Sequence, residues 1–343
     1  MAHSSCDVLI IGSGPGAAAI ARQMRSVGAG VTILQGVGCA RFKHLDGGIL
    51  NPEVLRKAIG TSEGAPLHRV GEHTVFRRDL LEEWALSRLG DGITIREEFE
   101  EARAIPHDTG RVSVIDASGE QQILASSVVL TEGANPKIGI AARLREDFDP
   151  EDMIHFGRAV VRGDSVKAPA AGAFRTSWGV PGWYNVIPHP DGALVGASAR
   201  IENIMRVGRD GREVLKDFLT SQIAGDLGIQ GEIDEIGMEL VPLRSTTRPT
   251  IIGAHNISIN FDANGSIDPR SLNRYNIVLA SGLEMGSMLA KEWPQLVEWD
   301  EAGLHVWDVF ADERTPYHDD RGTGFIEDGA APRRGILQRL LNR

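Results

Sequence analysis

The stretch "DVLIIGSGPGAAAIARQMRSVGAGVTILQG", residues 7–36, constrains the fold more than any other part of the 343-residue chain. Four apolar residues, Val8-Leu9-Ile10-Ile11, lead into a Gly-x-Gly-x-x-Ala turn made by Gly12, Gly14 and Ala17; an alanine-rich helix and a second apolar strand follow. A strand apolar on both faces belongs inside a parallel sheet, and parallel strands need a crossover helix between them. The order is therefore a βαβ unit, and it predicts an α/β fold. In such a unit the first glycine permits the tight turn, the second lets the main chain approach a pyrophosphate, and the third small residue keeps helix and sheet close. The helix that starts at Pro15-Gly16 offers unpaired N–H groups and its positive dipole end to phosphate. The pattern implies a phosphate-bearing dinucleotide. Its second strand nevertheless ends on Gln35, where an acid that holds a ribose is expected.

Composition narrows the rest. The length suffices for two or three structural units, and 42% hydrophobic with 24% charged residues describes an ordinary globular chain. A net charge of -11 argues against general nucleic-acid binding, which needs a basic footprint. Two cysteines, Cys6 and Cys39, cannot supply the four thiolates of an iron–sulfur cluster or of a structural zinc site. No metal site and no disulfide scaffold are expected, and a reducing cytoplasm is the expected compartment. "MAHSSCDVLIIG" enters its first strand without a signal-peptide pattern, and no apolar run has the length of a membrane span.

Along the chain, residues 42–60 read as a loop and a short helix, and 76–105 as an amphipathic helix followed by a strand. Residues 110–135 alternate as hairpin strands do. From 150 to 244 the pattern turns β-rich, with a helix near 210–224. "NISINFDANGSIDP" (256–269) reads as strand then loop, and 270–293 as a long helix. No internal repeat is present. The expected organisation is a discontinuous nucleotide-binding domain, 1–149 and 245–300, an inserted β-rich substrate domain, 150–244, and a tail, 301–343, with a basic amphipathic helix. That helix carries Arg334, Arg339 and Arg343 and is a candidate docking element for a redox or protein partner or an anionic lipid surface.

Several motifs resemble one family. "DVLIIGSGPGAAAIARQM" looks like the FAD-binding start of the FixC, electron-transfer-flavoprotein:quinone oxidoreductase and geranylgeranyl reductase flavoproteins, which share the p-hydroxybenzoate hydroxylase type of fold. The pair Gly47-Gly48 falls at that family's spacing after Gln35, and "RDLLEEWAL" is similar to its R-x-x-(x)-(x)-x-W helix start, with Arg78 as the arginine. "VVLTEGANPKI" resembles its "vvlAdGanS", with Glu132-Gly133 at the Asp-Gly step. "PGWYNVIPHPDGALVGAS" is similar to its Y-x-W-x-F-P strand, and "NFDANGSIDPRSLNRYNIVLASG" to its second FAD motif. The resemblance covers about residues 5 to 293. The departures are Gln35 for the ribose acid, Glu132 for Asp, Phe261 for the glycine before Asp262, and Arg274 for a helix glycine. The iron–sulfur domain of the quinone oxidoreductases is absent, as the cysteine count requires.

The resemblance implies a Rossmann-type FAD-binding domain with an inserted antiparallel sheet over the flavin. FAD would be held by Gly12, Gly14, Pro15, Gly16, Ala17 and Gln35 at its adenosine and pyrophosphate end, and Arg78 would pair with the pyrophosphate. Gly47-Gly48 would let main chain pass the isoalloxazine where a Cβ would clash. Glu132, Gly133, Asp262, Asp268 and Pro269 would complete the cofactor site, Asp262 by accepting from a ribityl hydroxyl or a backbone N–H. His44 and Asp46, just before the glycine pair, are candidate general acids. Trp183 and Tyr184, on the strand that lines the family's substrate cavity, are candidates for shaping an apolar pocket over the flavin. The leading reading is an FAD-dependent oxidoreductase that exchanges hydride with a small organic substrate. The alternatives are a flavin monooxygenase using O₂ and NAD(P)H, and a degenerate flavoprotein acting as a binding or assembly partner.

Overall fold

The computed structural model describes most of residues 2–293; segments 36–41, 98–101, 107–110, 117–118, 120, 134–135, 142–152, 164–165, 191, 223–228, 230, 243–249, 253–256, 261–271 and 294–343 lie outside the described residues. The expectations for Asp262, Asp268, Pro269 and the tail arginines fall in those segments.

The chain opens with β1 (Ala2–Ile11), α1 (Pro15–Ser26) and β2 (Val31–Leu34). A single 3-10 turn at Lys43–Leu45 precedes β3 (Gly47–Ile49) and α2 (Pro52–Ile59). Then come β4 (Leu67–Val70), β5 (His73–Arg77), α3 (Arg78–Ser87) and β6 (Ile93–Arg96). The hairpin region resolves into β7 (Ala102–Pro106), β8 (Val112–Asp116) and β9 (Gln121–Leu130), followed by the short α4 (Lys137–Ala141).

The middle of the chain supplies β10 (Met153–Gly163), β11 (Ala170–Arg175), β12 (Pro181–His189), β13 (Gly192–Arg200), α5 (Ile201–Arg206), α6 (Gly211–Asp217) and β14 (Gly231–Pro242). The chain returns through β15 (Thr250–Ile252) and β16 (Ile257–Asn260) to the long α7 (Arg274–Glu292).

Three sheets result. In the first, β16, β9, β1, β2 and β6 are parallel neighbours, with β15 antiparallel at one edge and β7 and β8 branching from β9. Val8 to Ile11 are fully buried at its centre, as their uniform apolarity requires. The second is a five-stranded antiparallel sheet, β11-β12-β13-β10-β14, and the third a small one, β3-β5-β4. A parallel α/β unit with a separate antiparallel sheet is the fold class expected.

Helix α7 packs directly on α1, and three glycines allow it. A Cβ on Gly282 would meet the Gly16 carbonyl oxygen at 2.5 Å, and one on Gly286 would meet the Ile20 Cα at 2.9 Å. A Cβ on Gly16 would meet Val278 at 3.2 Å. Residues 270–293 were expected as one helix from their length and apolarity; the helix begins at Arg274, five residues after Pro269.

The five-stranded sheet has two unlike faces, because side chains alternate along each strand. Tyr184, Val186, Val195, Ala197, Ala159 and Val161 pack on one side under α6 and Phe218. Ile187, Leu194 and Val160 pack on the other against Ile49 and Val75 of the small sheet and against Leu272.

Candidate functional site

The turn between β1 and α1 is built for close approach. Gly12 has φ +106°, which only glycine adopts at low cost, and a Cβ there would stand 2.3 Å from the Thr131 carbonyl oxygen. Its N–H donates to the Leu34 carbonyl at 2.9 Å, which ties the turn to the tip of β2. Gln35 is the next residue on that tip and donates its N–H to the Arg96 carbonyl. Gly14 is the N-cap of α1 and offers no side-chain cap, Pro15 begins the helix, and the first turn holds no acid. Ala17 is fully buried against Val8 and Ile10, the packing role read from its position. Ser13, 2% exposed, has a hydroxyl with no hydrogen-bond partner among the described residues, and it sits beside a helix start that has no side-chain cap.

The pair Gly47-Gly48 is explained differently from the expectation. It sits in β3, paired with β5. A Cβ on Gly47 would meet the Phe76 carbonyl oxygen at 2.3 Å, and one on Gly48 the Leu272 carbonyl oxygen at 2.7 Å. These glycines make room for the protein's own main chain.

Asp46 is the centre of a buried charge cluster. Its carboxylate is 6% exposed and accepts from Tyr275 Oη at 2.6 Å, from Arg274 and from Arg78 Nη1 at 3.3 Å; Arg158 Nη2 lies at 3.6 Å. Arg158 also pairs with Glu239. Burial by itself would raise the Asp46 pKa, but Arg158, Arg274 and Arg78, with the Tyr275 hydrogen bond, hold it well below the usual carboxylate range. Asp46 is thus corrected from general acid to permanent anion: it carries no proton to give. Burial pushes the Tyr275 phenol up, helped by the Asp46 charge and against Arg274 and Arg78, so it stays neutral.

Arg78 is likewise engaged. It holds Glu82 at 2.7 Å and Asp46, and although burial pulls its pKa down, Tyr275, Glu82 and Asp46 raise it well above the ordinary value. Glu82 reaches Lys43 Nζ at 2.6 Å with its other oxygen. The expected Arg78–pyrophosphate pairing is therefore indirect in geometry: the Glu82 carboxylate lies between Arg78 and Gly14, with Glu82 Oε1 3.9 Å from where a Gly14 Cβ would stand.

His44, 42% exposed, pairs with Glu235 of β14 at 2.8 Å. Glu132 is 3% exposed and is engaged with the start of α4. It accepts from the N–H groups of Ile138 and Gly139 at 3.0 and 3.2 Å, capping α4, and burial raises its pKa against those hydrogen bonds. Its expected cofactor role is corrected to a helix cap; Gly133 follows with φ +87°.

Trp183 and Tyr184 part company, as neighbours on a strand must. Tyr184 lies on the face away from the nucleotide-binding half, stacked near Phe218 with ring centroids 6.3 Å apart, so its expected pocket role is corrected to packing. Trp183 lies on the inner face against Ile154, Phe156 and Val241, with its indole N–H buried and unpartnered.

Sequence reasoning missed Lys43, Glu82, Arg158, Arg274 and Tyr275. Arg158 interrupts the apolar "HFGRAVV", and Arg274 departs from the family's glycine; those were the available signals. Among the described residues no group of His, Cys, Asp and Glu is arranged to hold a metal ion, and no helix is long and apolar enough to cross a membrane.

No protein-family model matches this chain, and no curated protein matches it by sequence. Solved structures do match. A geranylgeranyl bacteriochlorophyll reductase-like protein from Thermoplasma acidophilum superposes with a TM-score of 0.67 at 18% identity, covering 85% of this chain and 79% of that one. The myxobacterial chondrochloren halogenase, described as a variant of FAD-dependent halogenases, gives 0.60 at 17% identity over 86% and 77%. The halogenase PltM, in complex with phloroglucinol and FAD, gives 0.59 at 16% over 84% and 69%. At such identities the likeness shows the fold.

Proposed function

We infer that the chain is an FAD-dependent oxidoreductase acting on a small organic molecule. The observation that supports this reading is the β1–α1 turn, whose helix start has no side-chain cap and whose buried Ser13 hydroxyl has no partner among the described residues, as a phosphate cradle would. The residues present fit the pyrophosphate end of FAD. Gly12, Ser13, Gly14 and the α1 N-terminus would hold the phosphates, Pro15, Gly16 and Ala17 set the helix at the right depth, and Gln35 would hold the adenosine ribose. FAD, when bound, supplies hydride transfer at its flavin. The inner face of the five-stranded sheet, with Trp183 and Phe156, would shape the substrate side, and Asp262, Asp268 and Pro269 are proposed for the flavin side.

FAD rather than a nicotinamide nucleotide is favoured because the fold's flavoprotein likeness extends across both sheets, well past the βαβ unit. The Asp46 cluster ties α3, α7 and the residue before β3 to β10 of the five-stranded sheet. Asp46, held as an anion by three arginines, has no proton to give; the proton is therefore expected from the substrate or solvent side, or from His44.

A second reading, a monooxygenase, is favoured by neighbours that include an anhydrotetracycline hydroxylase from Streptomyces rimosus, with a TM-score of 0.57 at 17% identity. The purified protein is denatured and its supernatant chromatographed. FAD is the expected ligand; NAD(H) alone, or no nucleotide even after FAD is supplied, overturns the reading. NAD(P)H-dependent oxygen uptake with substrate turnover would select the monooxygenase.

A further inference from the structure

Three features converge on the N-terminal end of α1, and one opposes the other two. The twelve-residue helix starts without a side-chain cap, and the Ser13 hydroxyl beside it is buried without a partner among the described residues. Both call for an anion or acceptor. The third feature is Glu82, whose side chain is 5% exposed and whose Oε1 stands 3.9 Å from a Cβ position on Gly14. A carboxylate there meets the same dipole end that a phosphate would seek. It also holds the two nearest cations, Lys43 Nζ at 2.6 Å and Arg78 Nε at 2.7 Å.

The two cations differ in freedom. Arg78 is held by two carboxylates, Glu82 and Asp46, and its side chain is 15% exposed. Lys43 stands on the 3-10 turn, its side chain is 20% exposed, and Glu82 is its ion-pair partner among the described residues. A flexible four-carbon stem lets a lysine exchange one anion for another as a mobile point charge.

Resting on the dinucleotide reading above, we propose that Glu82 is a built-in competitor for the pyrophosphate, and that Lys43 is the residue they share. Binding of an ADP-bearing dinucleotide exchanges the Lys43–Glu82 ion pair for a Lys43–phosphate pair, against the repulsion of the nearby carboxylate. Affinity for the phosphate-bearing end is thereby set by Glu82, a residue outside the glycine turn. Neutralising Glu82 removes the repulsion and frees Lys43; removing Lys43 takes away the attraction. Neither change reaches a ligand that has no phosphate.

The test is isothermal titration of the full chain, freed of bound nucleotide, with ADP and with adenosine. Wild type, Glu82→Gln, Lys43→Met and Gly14→Val are compared, with circular dichroism as the check on folding. Glu82→Gln is expected to bind ADP about threefold or more tightly and Lys43→Met about threefold or more weakly, the scale of one partly solvated ion pair. Adenosine binding is expected to be unchanged in both. An ADP affinity in Glu82→Gln equal to or below wild type overturns the proposal, as does an unchanged affinity in Lys43→Met. If Glu82→Gln does not fold, Lys43→Met decides by itself. Wild type that binds ADP while Gly14→Val does not, with no gain from Glu82→Gln, overturns the competitor and leaves the dinucleotide reading standing. No ADP binding by any of the four overturns both.

Discussion

The Tyr275 hydroxyl donates to the Asp46 carboxylate at 2.6 Å, joining the first turn of α7 to the residue that precedes β3. Arg274, Arg78 and Arg158 close around the same carboxylate from α7, α3 and β10. One buried anion thus ties together segments separated by more than two hundred residues, among them a strand of the antiparallel sheet.

Removing that anion is expected to be costly. Asp46→Asn keeps the shape but leaves three arginines facing a neutral amide, and breaking a buried pair by deleting one partner costs about 3–5 kcal/mol. Chemical denaturation at neutral pH measures the loss. A change within a few tenths of a kcal/mol of zero would show that the arginines are satisfied without Asp46.

The pH dependence of stability separates two buried acids of opposite sign. Asp46 has its folded pKa depressed, so its contribution is complete above the ordinary unfolded value of about 3.9 and lost only as pH falls through the folded one. Glu132 has its folded pKa raised, so its contribution is complete below the unfolded value of about 4.3 and lost as pH rises through the folded one. Between pH 7 and 5 Asp46 therefore contributes no slope, while Glu132 favours the lower pH. Denaturation curves at the two pH values should show a term that disappears in Glu132→Gln and persists in Asp46→Asn.

Glu132→Ala tests the cap itself. It strips α4 of its acceptor for the Ile138 and Gly139 N–H groups, and loss of a helix cap costs about 1–2 kcal/mol. Thermal unfolding is expected to record that loss, while FAD or ADP affinity stays unchanged. A selective loss of cofactor with full stability would return Glu132 to the cofactor site.

Gln35→Glu is expected to tighten FAD binding several-fold. A carboxylate accepts from both ribose hydroxyls through charge-assisted bonds, roughly twice as strong as neutral ones, whereas a glutamine accepts from one and donates to the other. Fluorescence titration of the apoprotein measures it. An unchanged or lower affinity would place the adenosine away from the tip of β2.

Gly282→Val probes the contact that seats α7. Its first new carbon would overlap the Gly16 carbonyl oxygen, so α7 must shift from α1, and overpacking of this kind costs about 1–3 kcal/mol. Because Gly16 lies in the phosphate turn, nucleotide affinity should fall together with stability. Full affinity in a destabilised Gly282→Val protein would uncouple the two.

Much of this architecture could be read before any coordinates. The βαβ unit was legible because burial on both faces demands an uninterrupted apolar strand, and the turn after it demands small residues at fixed offsets. The helices at 78–87 and 274–292 and the strands of the β-rich middle carried their periods openly. Roles assigned by position alone fared differently. Glu132 sits at a cofactor step yet caps a helix, and Tyr184 faces away from the cleft because alternation gives the inner face to Trp183. The Gly282 and Gly286 spacing was visible but was not taken as a helix contact.

The sequence by itself determined most of the elements and the glycine turn between β1 and α1, since these follow from local sterics and from a periodicity that each short segment carries within itself. Only the tertiary structure decided the electrostatics. In the linear chain nothing pairs Lys43, Asp46, Arg158 and Arg274 with one another or with Arg78 and Glu82 of α3. Their meaning arises when α3, α7 and β10 meet around the loop before β3 and water leaves, because the pairing of a charge depends on its neighbours in space and on the solvent lost between them.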